Sequence, residues 1–277
     1  MSKPSNLAVR VATAVVAVPA ILALLYIAPP WGFFVLAFAA SIAGATEFFA
    51  MTHPAPSPRS GRVLGVALTA AVSLLVYFFG ADARVLLTLV VALAVAAPLL
   101  GLLGPGNLET AALRVCALGF GPLFVGVPLT LLAVMLRDRA PNGGHYVVLA
   151  MGFAWLSDTG GYFAGRAFGK HKLYELVSPK KTVEGALGGL VAVALWGVFG
   201  SVWLIPSLPL PHAIGLAVVA GALGQAGDPG ESLLKRSTGI KDSGVLVPGH
   251  GGLLDRVDAL LVTSSIVYLY TLWIGGR

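Results

Sequence analysis

From Gly227 to Ala259 the chain reads GDPGESLLKRSTGIKDSGVLVPGHGGLLDRVDA, and five of its twelve acidic residues fall in this one stretch. Asp228, Glu231, Lys235, Arg236, Lys241, Asp242, Asp255, Arg256 and Asp258 crowd together between two apolar runs, in a chain of which only 11% is charged. A cluster of this kind beside apolar segments calls for a polar ligand. Asp228, Pro229 and Glu231 have the residue types of a helix start: an N-cap acceptor, a fixed φ and an acid in the first turn. Ser232 and Lys235 lie four and seven residues beyond Asp228, so a helix there sets a carboxylate, a hydroxyl and an ammonium on one face. After Thr238 and Gly239 comes a loop rich in Gly, Ser and Pro. It ends in Pro248, Gly249, His250, Gly251 and Gly252, where backbone N–H groups can approach an anion closely. Helical spacing resumes near Leu253, with Asp255 and Asp258 on one face and Arg256 turned away. Paired carboxylates repel unless a cation joins them, and Mg²⁺ takes one or two protein carboxylates and fills its shell with phosphate oxygens and water. Asp228 and Asp255 are the natural pair for it. The plainer reading makes Asp228 a helix cap and leaves Asp255 and Asp258 in surface ion pairs with Arg256 and Lys241, each worth about 0 to 1 kcal/mol.

A second constellation begins at Trp155. Asp158, Tyr162 and Arg166 follow a spacing of four, and Gly161, Gly165 and Gly169 form a parallel ridge on which another helix can pack closely. Asp158 lies deep enough in an apolar run to need a partner, and Arg166 is the nearest cation. A basic loop follows with Lys170, His171, Lys172, Ser178, Pro179, Lys180, Lys181, Thr182 and Glu184. Such loops commonly anchor the cytoplasmic side of a membrane protein, and this one also has the donors to bind phosphate. Earlier in the chain, Glu47 is an acid inside an apolar run, which makes it a functional candidate unless it simply reaches water.

The series Ser232, Lys235, Arg236, Lys241, Asp242, Gly244, Pro248, Gly249, His250, Gly251, Gly252, Asp255, Arg256 and Asp258 resembles the signature of the phosphatidate cytidylyltransferase (CDP-diacylglycerol synthase) family. The segment from Asp158 to Gly185 is similar to a second stretch of that family, through Ser178, Pro179, Lys180, Lys181, Thr182 and Glu184. Pro229 and Gly230 stand where the family more often has apolar residues, Ala259 where Ser is frequent, Glu175 where Pro is, and Gly161 where Ala is. The resemblance implies an integral membrane enzyme that converts CTP and phosphatidate to CDP-diacylglycerol and pyrophosphate in phospholipid synthesis, with the chain working as a homodimer. It implies Mg²⁺ on Asp228 and Asp255, leaving a second cation open, and catalytic roles for Lys235, Lys241 and Asp242 beside them. Substrate contacts fall to Asp158, Ser178, Lys180, Lys181, Thr182, Glu184, Ser232, Arg236, His250, Gly251, Gly252 and Arg256. Two other readings stay open: a CTP-dependent kinase of a membrane alcohol, and a transporter binding a cation at mid-membrane through Asp158 and a helix broken near Gly224, Gly227 and Pro229.

The elements that must position these residues are apolar helices. With 277 residues, 57% hydrophobic content and a mean hydropathy of +0.88, the chain reads as an all-α polytopic membrane protein. Apolar runs of spanning length lie at about 7–28, 31–51, 63–80, 85–103, 117–136, 146–168, 183–205, 213–234 and 253–274, which predicts nine spans. The first keeps its place as an anchor instead of being removed as a signal peptide. Placing the N-terminus in the cytoplasm puts fourteen of the 18 Lys and Arg on the cytoplasmic side, so both constellations face that side of the cell membrane. The formal charge of +6 is scattered through loops without aromatic interleaving, which suits anionic lipids and a nucleotide and not nucleic acid. The lone Cys116 excludes an internal disulfide and reads as an inert packing residue. The chemistry divides the chain into residues 1–144, five scaffold helices facing lipid, and residues 145–277, four helices carrying the catalytic loops. Arg59 and Arg62, after the short Pro54, Pro56, Pro58 segment, are expected to face lipid headgroups.

Overall fold

Long runs of Ala, Leu, Val and Phe close their backbone hydrogen bonds within the segment, and a helix is the element that does so without help from neighbours. The structure is a computed structural model, and it describes residues 6–54, 59–80, 82–102, 107–175, 178–240, 243–244 and 251–275, without the side chains of 6–14, 83, 228 and 229. Its helices are α1 (Asn6–Tyr26), α2 (Pro30–Thr52), α3 (Arg59–Phe79), α4 (Ala83–Leu102), α5 (Ala111–Gly121), α6 (Val127–Asp138), α7 (Gly143–Phe168), α8 (Val183–Phe199), α9 (Leu210–Ser237) and α10 (Leu254–Trp273). A π-type turn, Pro122–Gly126, links α5 to α6, where Pro122 withholds one helical N–H. Helix stands at each of the nine apolar runs. Among the described residues, six stretches are long and apolar enough to cross a membrane: Pro30–Thr52, Arg59–Phe79, Arg84–Leu102, Leu108–Asp138, Val183–Leu204 and Leu210–Ser237.

Large apolar side chains face outward along whole helices. Leu187, Val191, Leu195, Phe199 and Trp203 repeat every fourth residue on one exposed stripe, and Leu87, Val91, Val95 and Leu99 do the same on α4. In water such stripes would be an aggregation liability, whereas in lipid they are the solvated surface. The fold is that of an all-α integral membrane protein.

The chain forms two compact units, residues 1–126 with 242–255, and residues 127–241 with 256–277. In the first, α2 packs on α3, and the Phe34 and Tyr77 rings stack with centroids 3.8 Å apart. Arg62 does not simply face headgroups: its Nε and Nη2 donate to the His53 carbonyl at 2.9 and 2.6 Å, tying the first turn of α3 to the end of α2. Cys116 is exposed on α5, so it is not a packing residue.

In the second unit α8 lies against the small-residue face of α7. A Cβ on Gly160 would stand 2.6 Å from the Ala192 Cβ and 2.9 Å from the Gly188 carbonyl, so only glycine permits this approach. The expected ridge has the same partner: a Cβ on Gly161 would stand 3.4 Å from the Gly185 carbonyl, and one on Gly165 3.5 Å from the Gly185 Cα. The basic loop is no plain loop. Strands β1 (Lys172–Tyr174) and β2 (Ser178–Thr182) pair antiparallel, with Lys172 opposite Thr182 and Tyr174 opposite Ser178.

Helix α9 corrects two sequence expectations. It runs unbroken through Gly224, Gly227 and Pro229, so the broken helix on which the transporter reading depended is absent. Asp228 lies well inside it, which removes the helix-cap reading of Asp228, Pro229 and Glu231. The helix ends instead at Gly239, whose φ is +76°, with the Ile240 N–H bonded to the Lys235 carbonyl at 2.9 Å and the Gly239 N–H to the Arg236 carbonyl at 3.1 Å. These are the two bonds of a Schellman stop, and the left-handed φ favours glycine there.

Candidate active site

In the second unit both strands of the basic ribbon, α7 and α8 line a cavity of about 450 Å³. Asp158, Tyr162 and Arg166 enter from α7, Lys180, Lys181 and Thr182 from β2 and its junction with α8. Cations, hydroxyls and one carboxylate therefore converge on a space that is otherwise apolar. Arg166 is held by its neighbour one turn back, its Nη1 lying 3.1 Å from the Tyr162 hydroxyl. Gln225 of α9 floors the cavity, its amide donating to the Ser157 hydroxyl and the Ala186 carbonyl, both at 3.0 Å. That amide crosslinks three helices. An amide in an apolar run was the available signal for it, and the sequence reading passed it over.

The ribbon is fixed by its own polar contacts. Thr182 caps α8 by accepting from the Gly185 N–H at 3.1 Å, and Lys172 Nζ donates to the Pro179 carbonyl at 2.7 Å. Glu184 accepts from the Lys170 and His171 N–H groups at 3.0 and 3.2 Å, with His171 Nδ1 2.6 Å from its other oxygen. Its carboxylate orients the ribbon's first strand. Ser178 is half-buried in β2 and Lys180 exposed, so the two lysines extend from a braced platform.

Further along the same unit, Lys235 is 9% exposed and its Nζ lies 3.3 Å from a carboxylate oxygen of Glu231, itself 2% exposed. A buried ammonium needs such a partner, and removing one member of the pair would leave the other charge uncompensated. Ser232 is half-buried one residue after Glu231, and Arg236 is exposed, its Nη1 3.4 Å from the Ile240 carbonyl. The helix keeps residues 228, 232 and 235 in register on one face, as their spacing predicts. A Cβ on Gly227 would meet the Val262 side chain at 3.0 Å and the Asp258 carbonyl at 3.3 Å. Helices α9 and α10 therefore approach closely one residue from Asp228. Asp258 Oδ1 accepts from the Ala259 N–H at 2.7 Å, and Arg256 is exposed.

In the first unit, Asp255 stands in the first turn of α10 with Oδ2 accepting from the Ser243 N–H at 3.0 Å. Gly251 has φ +88°, and Gly252 is buried beside Ser243. Lys241, Asp242, Pro248, Gly249 and His250 lie outside the described residues. Glu47, a side candidate from sequence, proves to be bonded to this segment: it is 5% exposed and accepts from the Ser243 hydroxyl and from the Leu253 and Leu254 N–H groups at 3.0, 3.0 and 2.9 Å.

Comparison with known proteins gives this geometry a context. A family model described as the cytidylyltransferase family matches residues 8–274. A phosphatidate cytidylyltransferase of Staphylococcus saprophyticus is 39% identical over 132 residues, covering 48% of this chain and 51% of the relative. The protein of the same name from Bacillus subtilis is 41% identical over 138 residues, 49% of this chain and 50% of the relative, and that of Staphylococcus aureus strain COL is 41% identical over 138 residues, 47% and 50%. The alignments span about half the length of the curated relatives.

Proposed function

This chain belongs to the cytidylyltransferase family, and from that premise we propose that it transfers the cytidylyl group of CTP to phosphatidate. The observation that carries this reading is the cavity that gathers Arg166, Lys180 and Lys181 with Asp158 inside the matched region. In the reaction a phosphate oxygen of phosphatidate attacks the α-phosphorus of CTP, a P–O bond forms, and the bond to the β-phosphate breaks to release pyrophosphate. The attacking oxygen is already anionic, so no protein nucleophile is required. The obstacle is bringing two anions together, and catalysis is mostly positioning and charge neutralisation.

The residues divide that work. Arg166, Lys180 and Lys181 offset phosphate charge in the cavity, with the Ser178 and Thr182 hydroxyls as neutral donors beside them. Lys235 has its charge balanced by Glu231 and its head held in one direction, so it reaches an incoming phosphate without reorganisation. Arg236, Arg256, Lys241 and Asp242 complete the charge pattern around the leaving pyrophosphate and the lipid headgroup, and the Gly251 and Gly252 backbone approaches phosphate.

The donor set suits a hard cation. Asp255 is oriented by the Ser243 amide, and among the described residues no group of three or more His, Cys, Asp or Glu assembles a closed metal cage. Asp228 and Asp255 would hold Mg²⁺, which takes one or two carboxylates and relies on substrate phosphates for the rest. When bound, Mg²⁺ supplies charge neutralisation and polarises the α-phosphoryl group. Nine spans, a cytoplasmic N-terminus, a cytoplasmic catalytic face, contact with anionic lipids there and a homodimer complete the reading, supported by charge asymmetry and resemblance.

The test is direct. Purified protein with phosphatidate, Mg²⁺ and CTP labelled in the α-phosphate is expected to yield a labelled lipid and to release pyrophosphate only when phosphatidate is present. A membrane alcohol labelled from γ-labelled CTP, in a parallel assay with the alcohol in place of phosphatidate, would replace this reading with the kinase, and absence of labelled lipid from phosphatidate would refute cytidylyl transfer.

A further inference from the structure

A carboxylate buried in an apolar helix is costly unless donors satisfy it, and Glu47 in α2 has three. Two are the backbone N–H groups of Leu253 and Leu254, at the start of α10, where the first N–H groups have no partner within the helix. Glu47 therefore caps α10 from a different helix, with its negative charge at the positive end of the helix dipole. The third donor is the Ser243 hydroxyl, and the amide of that same residue donates to Asp255 Oδ2. Ser243 thus joins the two carboxylates: its side chain is fixed by Glu47 and its backbone orients Asp255. The surrounding glycines leave no slack for another arrangement. A Cβ on Gly244 would stand 2.5 Å from Glu47 Oε1, and one on Gly252 would stand 2.8 Å from Oε2 and collide with the Ser243 hydroxyl.

We propose that Glu47 is a positioning residue, which holds Ser243, Leu253 and Leu254 in place and through them sets the Asp255 carboxylate for cytidylyl transfer. The inference rests on the proposed reaction for its catalytic consequence, though not for the anchor itself. Glutamine is the informative replacement. Its carbonyl can replace only one of the two carboxylate oxygens, and its amide then presents hydrogens to a backbone N–H that the other oxygen served, so Glu47→Gln keeps the shape and breaks at least one of the three bonds. Partners that orient a metal-binding carboxylate typically cost about 10- to 100-fold in activity or metal affinity when changed, and a loss of that size is expected here.

The experiment compares wild type, Glu47→Gln, Glu47→Asp and Ser243→Ala in detergent by amide hydrogen exchange and by kinetics. For Glu47→Gln, exchange is expected to accelerate in peptides covering 243–255 and not in those of α7 and α8, kcat to fall about 10- to 100-fold, and the Mg²⁺ concentration for half activity to rise. Glu47→Asp is expected to restore part of the rate. Ser243→Ala, which loses one bond and keeps its amide, is expected to shift in the same direction by less, and it serves if Glu47→Gln does not fold. Unchanged exchange in 243–255 would overturn the anchor. Faster exchange with wild-type kcat and Mg²⁺ dependence would overturn the positioning role and leave Glu47 a structural cap. A wild-type protein that makes no labelled lipid would refute the proposed reaction, and the exchange arm would still decide whether Glu47 holds the segment.

Discussion

At the scale of single residues, a carboxylate that ligates a cation is not replaceable by its amide, whereas one that only pairs at a surface is. Asp228→Asn and Asp255→Asn are each expected to lower turnover by roughly 10²-fold or more while melting behaviour stays unchanged. Near-normal turnover in either would refute the two-carboxylate metal site. The position of Asp228 inside α9 sharpens this comparison, because loss of a cap can no longer explain a defect. A different kind of residue effect belongs to His53. Its burial, reinforced by the Arg114 and Arg62 charges, lowers its pKa from 6.5 to about 4. Between those values the unfolded chain takes up the proton and the folded one does not. Stability is therefore fully present above about pH 6.5 and declines as the pH falls towards 4. His53→Gln is expected to flatten that part of the stability profile measured by thermal unfolding in detergent, and an unaltered slope would show that another group titrates.

At the scale of elements, the ribbon is a braced platform whose lysines are separable from its architecture. Lys180→Gln with Lys181→Gln is expected to raise KM for CTP or phosphatidate with little change in kcat, in protein that inserts normally. Normal kinetics would mean that the pair only sets orientation in the membrane. The apolar helices were legible because apolar length is a strong signal, and the end of α9 was legible because Thr238 and Gly239 are ordinary stop chemistry. The ribbon was not, since its strands are short and charged and carry no alternation of apolar and polar residues. Asp228, Pro229 and Glu231 misled for a local reason. They are the residue types of a helix start, but close packing of Gly227 on α10 keeps the helix going through them. Glu47 was legible as an oddity, an acid among apolar residues, but its donors are far along the chain and no local pattern points to them.

At the scale of the molecule, the orientation proposal has a clean reporter. In a Cys116→Ser background, needed because Cys116 is exposed, a cysteine at Ser178 is expected to react with an impermeant thiol reagent only from the cytoplasmic side. Reaction from outside intact cells would overturn the orientation. Ser243 makes a poor second reporter, being 7% exposed and bonded to Glu47. That bond also has a consequence for how the protein is made. Glu47 leaves the ribosome 196 residues ahead of Ser243. At about 5 to 20 residues per second, the carboxylate spends on the order of 10 to 40 s in the nascent chain before its donors exist. Over that interval water has to stand in for them, which delays full burial of this part of α2 until Leu254 has been made. A nascent chain that stops short of Ser243 is thereby marked far upstream, by an acid in α2 that lacks its donors.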